Sequence, residues 1–139
     1  MVGERLTDGV RIGQLLASEI SGNEGRLRDL ALEDADPDVE PTPDGALAYR
    51  VVRDGDDPGG DLVAEVYVQP DRLRIEFVAR SGERGDETDR PAVAADAASD
   101  AGLRVRPKAV RPPRTLAFVE DGAQVKRALS AFEAVVDAE

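Results

Sequence analysis

Apolar residues recur with helical spacing at the start of the chain, alternate through its middle, and return to helical spacing at its end. Between Thr7 and Ser21, the residues Val10, Ile12, Leu15, Leu16 and Ile20 approximate one helix face. Thr7 or Asp8 caps its start and Gly22-Asn23 its end, while Gly9 and Gly13 lower its intrinsic helicity. Leu27 to Leu32 is compatible with helix or strand. Glu33 to Asp44 packs acids around Pro37, Pro41 and Pro43, and so predicts an extended surface loop.

Three strands follow: Ala46 to Arg53, Leu62 to Gln69 and Leu73 to Arg80. The last two form a hairpin around Gln69-Pro70-Asp71-Arg72, with Pro and Asp at central positions of a type I turn. That turn sets a register of Val68 with Leu73, Val66 with Ile75, Ala64 with Phe77 and Leu62 with Ala79. Every pair on this face is apolar, and a slip by one residue would put the whole set on the other face. Ser81 to Arg90 is a polar loop. Pro91 to Ala101 reads as an Ala-rich helix with Pro in its first turn and Gly102 just past its end. Leu103 to Val110 and Arg114 to Val119 read as strands. A final helix from Gly122 to about Asp137 is capped by Asp121, with Gln124 at the capping-box position. Its buried stripe is Val125, Ala128, Leu129, Phe132, Val135 and Val136.

The predicted order is α-β-β-β-α-β-β-α. Strand runs joined by short turns indicate an α+β fold: an antiparallel five-stranded sheet with helices on one face, in a single domain over residues 1–139. This order is similar to that of the small secretion-chaperone-like α+β fold, a likeness that carries no function by itself.

Composition narrows the chemistry. The chain has no Cys and no His. Disulfides, thiolate nucleophiles, Ser-His-Asp catalysis and the common nitrogen and sulfur metal ligands are excluded. No phosphate-cradling glycine motif occurs, since Ser81-Gly-Glu-Arg-Gly lacks both the spacing and the lysine. No cofactor is expected. The N-terminus lacks the apolar core of a signal peptide, and no apolar run reaches the length of a membrane span. A cytoplasmic location is the expectation. There are 29 acids against 18 bases, for a net charge of −11. Sixteen of the bases are Arg, and only Lys108 and Lys126 are Lys. This mixture resembles cytosolic proteins of salt-loving archaea, whose acidic surfaces repel themselves when salt is withdrawn.

Three constellations are candidates for function. Counted from Asp54, acids fall at the first, third and twelfth positions and Gly59 at the sixth, as in a helix-loop-helix calcium loop. Pro58 at the fifth position, Asp61 at the eighth and strand-like flanks favour a solvated hairpin loop instead. The run Asp34, Asp36, Asp38 and Glu40 lacks even the turn glycine, and no metal is expected. Second, the hairpin register sets Glu65 opposite Glu76 and Tyr67 opposite Arg74. Like charges across a ladder are unfavourable. They would hold a cation or share a proton as the centre of a carboxylate- or metal-dependent enzyme, or face solvent, relaxed by Arg74 and salt. In the solvent-facing case, removing Glu65 would be mild or helpful.

The third constellation is the strongest. Ala101 to Val119 contains no acid but holds Arg104, Arg106, Lys108, Arg111 and Arg114, leaving 29 acids against 13 bases elsewhere. On a strand, Arg104, Arg106 and Lys108 share one face at intervals of ~6.6 Å, with Leu103, Val105 and Ala109 on the other. Pro107 points to an edge strand. The strip reads as a protected edge, as a charge partner for the chain's own acids, or as a binding face for an anion. Nucleic acid is disfavoured in brine, because five phosphate contacts would lose about four decades of affinity between physiological and molar salt. Bidentate Arg recognition of carboxylate or phosphate on a protein partner survives screening better. The leading expectation is a small non-enzymatic binding or accessory protein that meets an acidic partner through this strip. A nucleic-acid-associated factor using the same strip is the alternative.

Overall fold

A computed structural model describes residues 7–22, 25, 27–53, 61–79, 90–110 and 113–138. Helix α1 spans Gly9–Ser21, and the Asp8 carboxylate accepts from the Val10 amide at 3.0 Å. The two glycines are close-approach positions. A Cβ on Gly9 would sit 1.9 Å from the Gln69 carbonyl oxygen, and one on Gly13 would sit 3.3 Å from the Leu73 side chain. Gly13 takes a place on the buried face beside Ile12, Leu16 and Ile20, and Leu15 turns outward, 43% exposed. The expected stripe is corrected at that position because the helix lies nearly backbone-to-strand at its start.

Strand β1, Leu30–Glu33, resolves the ambiguous stretch and pairs with β2, Ala46–Arg53. Strands β3, Asp61–Gln69, and β4, Arg72–Phe77, form the hairpin. The Val68–Leu73, Val66–Ile75 and Ala64–Phe77 pairs all occur. The fourth expected pair, Leu62 with Ala79, does not, because β4 ends at Phe77 and the hairpin ladder ends with it at Ala64–Phe77. Helix α2, Arg90–Asp100, connects to strand β5, Arg104–Lys108, and Gly102 at φ 87° terminates the turn between them. Strand β6, Arg114–Val119, is followed by a 3₁₀ turn at Gly122–Gln124 and helix α3, Val125–Ala138. Asp121 caps this turn, with Oδ1 accepting from the Gln124 amide at 3.0 Å. Gln124 returns its own oxygen to the Glu120 amide rather than to that of Asp121.

The sheet is antiparallel with strand order β1-β2-β3-β4-β6-β5. It therefore has six strands rather than five, because Leu30 to Leu32, compatible with either state, and Glu33, expected in the following loop, gain a partner in β2. Helix α2 spans the connection that lets β6 insert between β4 and β5. Helix α1 contacts β1, β3 and β4, and α2 contacts β4, β5 and β6. Helix α3 packs chiefly on α2, with lesser contact to β6 and α1, so the expected simple layer of helices on a sheet is corrected there. Phe132 of α3 meets Phe77 of β4 with ring centroids 4.9 Å apart. Leu73, Ile75, Phe77, Val66, Val68, Leu16 and Phe132 belong to one buried apolar core.

The loop carrying Asp54 to Gly60 lies outside the described residues, as do the Ser81–Asp89 loop and Arg111. No helix among the described residues is long and apolar enough to cross a membrane.

Candidate functional site: the face of the sheet turned away from the core

Side chains alternate across a strand, so the register that sends Val66 and Ile75 into the core sends Glu65 and Glu76 to the other face. The ladders assemble a row across all six strands: Glu33, Arg50, Glu65, Glu76, Leu116 and Arg106. A second row holds Leu47, Tyr67, Arg74, Phe118 and Arg104. Lys108 pairs with Arg114 at the end of the edge strand β5. Arg104, Arg106 and Lys108 thus share one face, and Pro107 lies on an edge strand, where the missing amide costs no ladder bond.

Glu65 and Glu76 are not solvent-facing. They are 7% and 1% exposed. Arg114 bridges them, with Nη1 2.7 Å from Glu65 Oε1 and 2.9 Å from Glu76 Oε1. Glu76 also accepts from Arg74 Nε at 3.0 Å and from Lys108 Nζ at 3.1 and 3.3 Å. Glu65 also accepts from Arg50 Nε at 3.0 Å and from the Tyr67 hydroxyl at 2.9 Å. Arg50 reaches on to Asp34, and the Arg74 guanidinium lies 4.6 Å over the Tyr67 ring. The like-charge pair is stable because cations from β2, β4, β5 and β6 converge on it.

This arrangement sets the ionisation. Burial alone would raise the Glu65 pKa, but hydrogen bonds from Arg114, Arg50 and Tyr67 outweigh it and hold the group below its ordinary value. Burial likewise opposes ionisation of Glu76, and the donors Arg114 and Lys108 with the nearby Arg74 charge prevail, lowering its pKa. Burial and the hydrogen bond to Glu65 both push the Tyr67 hydroxyl up. Both carboxylates are ionised at neutral pH with their oxygens turned to donors. The cluster is charge-compensated, with each carboxylate met by cationic donors from neighbouring strands.

The basic strip is divided by the fold. Lys108 and Arg114 turn inward to the carboxylates. Arg104 remains 58% exposed, with only a 3.8 Å approach to Glu120. Arg106 is exposed and has no ion-pair partner among the described residues. Half-buried Leu116 and Phe118 lie beside these two arginines in the rows above. Arg50 was not singled out by sequence as a network member, whereas the hairpin register had already set Tyr67 and Arg74 beside the carboxylate pair. The contribution of β2 depends on a pairing register interrupted between Leu47 and Tyr49 and between Val51 and Val52.

Comparison with known proteins adds a family. A family model matches residues 1–139. The chain belongs to DUF7993, a family of unknown function. No curated protein and no solved structure matches the chain. Membership in this family leaves its function to be argued from the face just described.

Proposed function

We propose that this family member is a small non-enzymatic binding or accessory protein of a high-salt cytoplasm, receiving an acidic protein partner on the outer face of β5 and β6. The observation that carries this reading is the contrast within one strip. Lys108 and Arg114 are consumed by the chain's own carboxylates, whereas Arg106 keeps no ionic partner among the described residues and Arg104 only a distant one. Two arginines flanked by half-buried Leu116 and Phe118 have the mixed character of an interface centre, with planar donors next to apolar contact area. The partner's matching surface is acidic. Its affinity falls with salt less steeply than a bare phosphate interface would, because the apolar contact is not screened.

The test is Arg104→Gln with Arg106→Gln, which spares the internal network. In extract at molar KCl, the wild type should retain specific protein partners that this variant loses, while Arg28→Gln, away from the strip, retains them. Identical partner sets would reduce the strip to edge protection. A second reading has one observation in its favour: Tyr67, Arg74, Phe118 and Arg104 alternate aromatic and basic along a row. Such a row on an open sheet is a stacking platform for single-stranded nucleic acid. Arg74 already covers the Tyr67 ring, leaving Phe118 as the one uncovered aromatic of the row. Titration with a fluorescent single-stranded oligonucleotide at molar KCl, with Phe118→Ala as control, separates this reading from the first.

A further inference from the structure

Helix α1 and the loop over residues 35–39, with Ala48, Tyr49 and Val68 of the sheet, enclose a cleft of about 320 Å³. We propose that this cleft binds a small ligand with an apolar body and a positively charged organic head. The inference is independent of the function proposed above.

The cleft exists because its walls carry small side chains. Gly13 and Ala17 of α1 face Ala48 at the start of β2, and Val39 closes the loop side. In a close-packed interior such a space is filled by side chains, and here it remains open. Its volume is near the lower end of the ~300–1,000 Å³ range of ligand pockets, which fits a small molecule better than a peptide. The floor offers a ligand almost no hydrogen bonding. Tyr49 lines it, but its hydroxyl is buried and donates to the Gly13 carbonyl oxygen at 2.8 Å. Burial also pushes that phenol's pKa upward, so it stays neutral. The body of the ligand must therefore be apolar.

The charge of the head follows from the mouth. Asp36 lines the cleft, and Asp38 and Glu40 follow it on the same exposed loop. None of the three has an ion-pair partner among the described residues, whereas Asp34 is engaged by Arg50. No base occurs anywhere from Asp29 to Tyr49. An anionic head would meet unopposed carboxylates, and a cationic head would complement them. The outer wall is tied to the sheet, since the Asp36 amide donates to the Ala48 carbonyl oxygen at 2.8 Å. The space is thus held open by a main-chain bond.

The experiment compares octyltrimethylammonium with octanoate, each below its micelle concentration, at the lowest KCl that keeps the chain folded. Calorimetry and amide chemical shifts provide the readouts. Octyltrimethylammonium should bind at one saturable site and shift the amides of Gly13, Ala17 and Val39, and octanoate should bind far more weakly. Ala17→Phe should lower the affinity at least tenfold, because the ring fills the cleft. Ala35→Phe, on the exposed wall, is the second filling variant should the first fail to fold. Asp36→Asn should weaken the cationic probe by up to about fivefold, an effect that fades as salt rises. No saturable binding, equal binding of the two probes, or wild-type affinity in a folded filling variant would overturn the proposal. So would self-association that Ala17→Phe abolishes, which would assign the cleft to a second copy of this chain.

Discussion

Glu76 and Phe77 are neighbours on β4 and face opposite sides of the sheet, yet they are 1% and 0% exposed. Phe77 is buried because another apolar layer, including Phe132, lies on it. Glu76 is buried because cations from its own sheet fold over it. The first kind of burial gains from removing apolar area from water and needs no directional partner. The second gains only while every charge is matched, and one lost partner leaves a desolvated ion behind. The two faces should therefore fail differently.

The largest effect should come from putting the wrong chemistry on the core face. Ala64→Asp would place a carboxylate in the apolar core against Phe77. It should abolish cooperative unfolding or cost at least about 4 kcal/mol. Thermal melts by far-UV circular dichroism in molar KCl are the check. A melt like that of the wild type would mean that the two faces are assigned the wrong way round.

Salt comes next. With a net charge of −11, the surface should keep the fold cooperative only in concentrated KCl, and the transition should fall sharply or vanish by ~50 mM. The internal network is screened far less. A Glu65→Gln/Glu76→Gln variant should therefore lose as many degrees on dilution as the wild type. A clearly smaller loss would show that salt acts through the network.

Removing the bridge should be costly but not fatal. Arg114→Ala leaves both carboxylates without their shared donor and should cost about 2–3 kcal/mol, discounted for the solvent that reaches Arg114 and Lys108. Glu76→Ala should cost more than Glu65→Ala. It strands Lys108, whose ion pair among the described residues is with Glu76, whereas loss of Glu65 leaves Arg114 on Glu76 and Arg50 on Asp34. Glu65→Ala should thus be destabilising, the reverse of what a solvent-facing pair would show. Denaturant midpoints order the three variants, and Arg106→Ala serves as a surface control within about 0.5 kcal/mol.

The pH dependence should be the mildest effect. Both network carboxylates are held below their ordinary pKa in the fold. Their contribution is complete above the unfolded carboxylate range and is lost as pH falls through the lower folded values. As pH falls below the ordinary carboxylate range, the Glu65→Gln/Glu76→Gln variant should show a flatter midpoint-versus-pH curve than the wild type. Parallel curves would mean that the pair is not the acid-sensitive element.

Much of this was legible from local pattern. The Pro70-Asp71 turn and the alternation around it specify the β3–β4 register, because turn chemistry and a two-residue period act over a few neighbours. That register already placed Glu65 across from Glu76 and Tyr67 across from Arg74. Pro107 in an alternating segment marked an edge, and the five bases between Ala101 and Val119 marked the distinctive strip. Tertiary structure decided what those residues do. The insertion of β6 beside β4 brings Arg114 and Lys108 onto carboxylates more than thirty residues away, and no local period encodes that adjacency. The same holds for β1, which becomes a strand only because β2 offers it an edge, and for Gly9 and Gly13, whose missing side chains matter only where α1 touches β3 and β4. Charge pattern along the chain selects which residues can form a network. Which of them meet is set by strand order, and that depends on how the whole core closes.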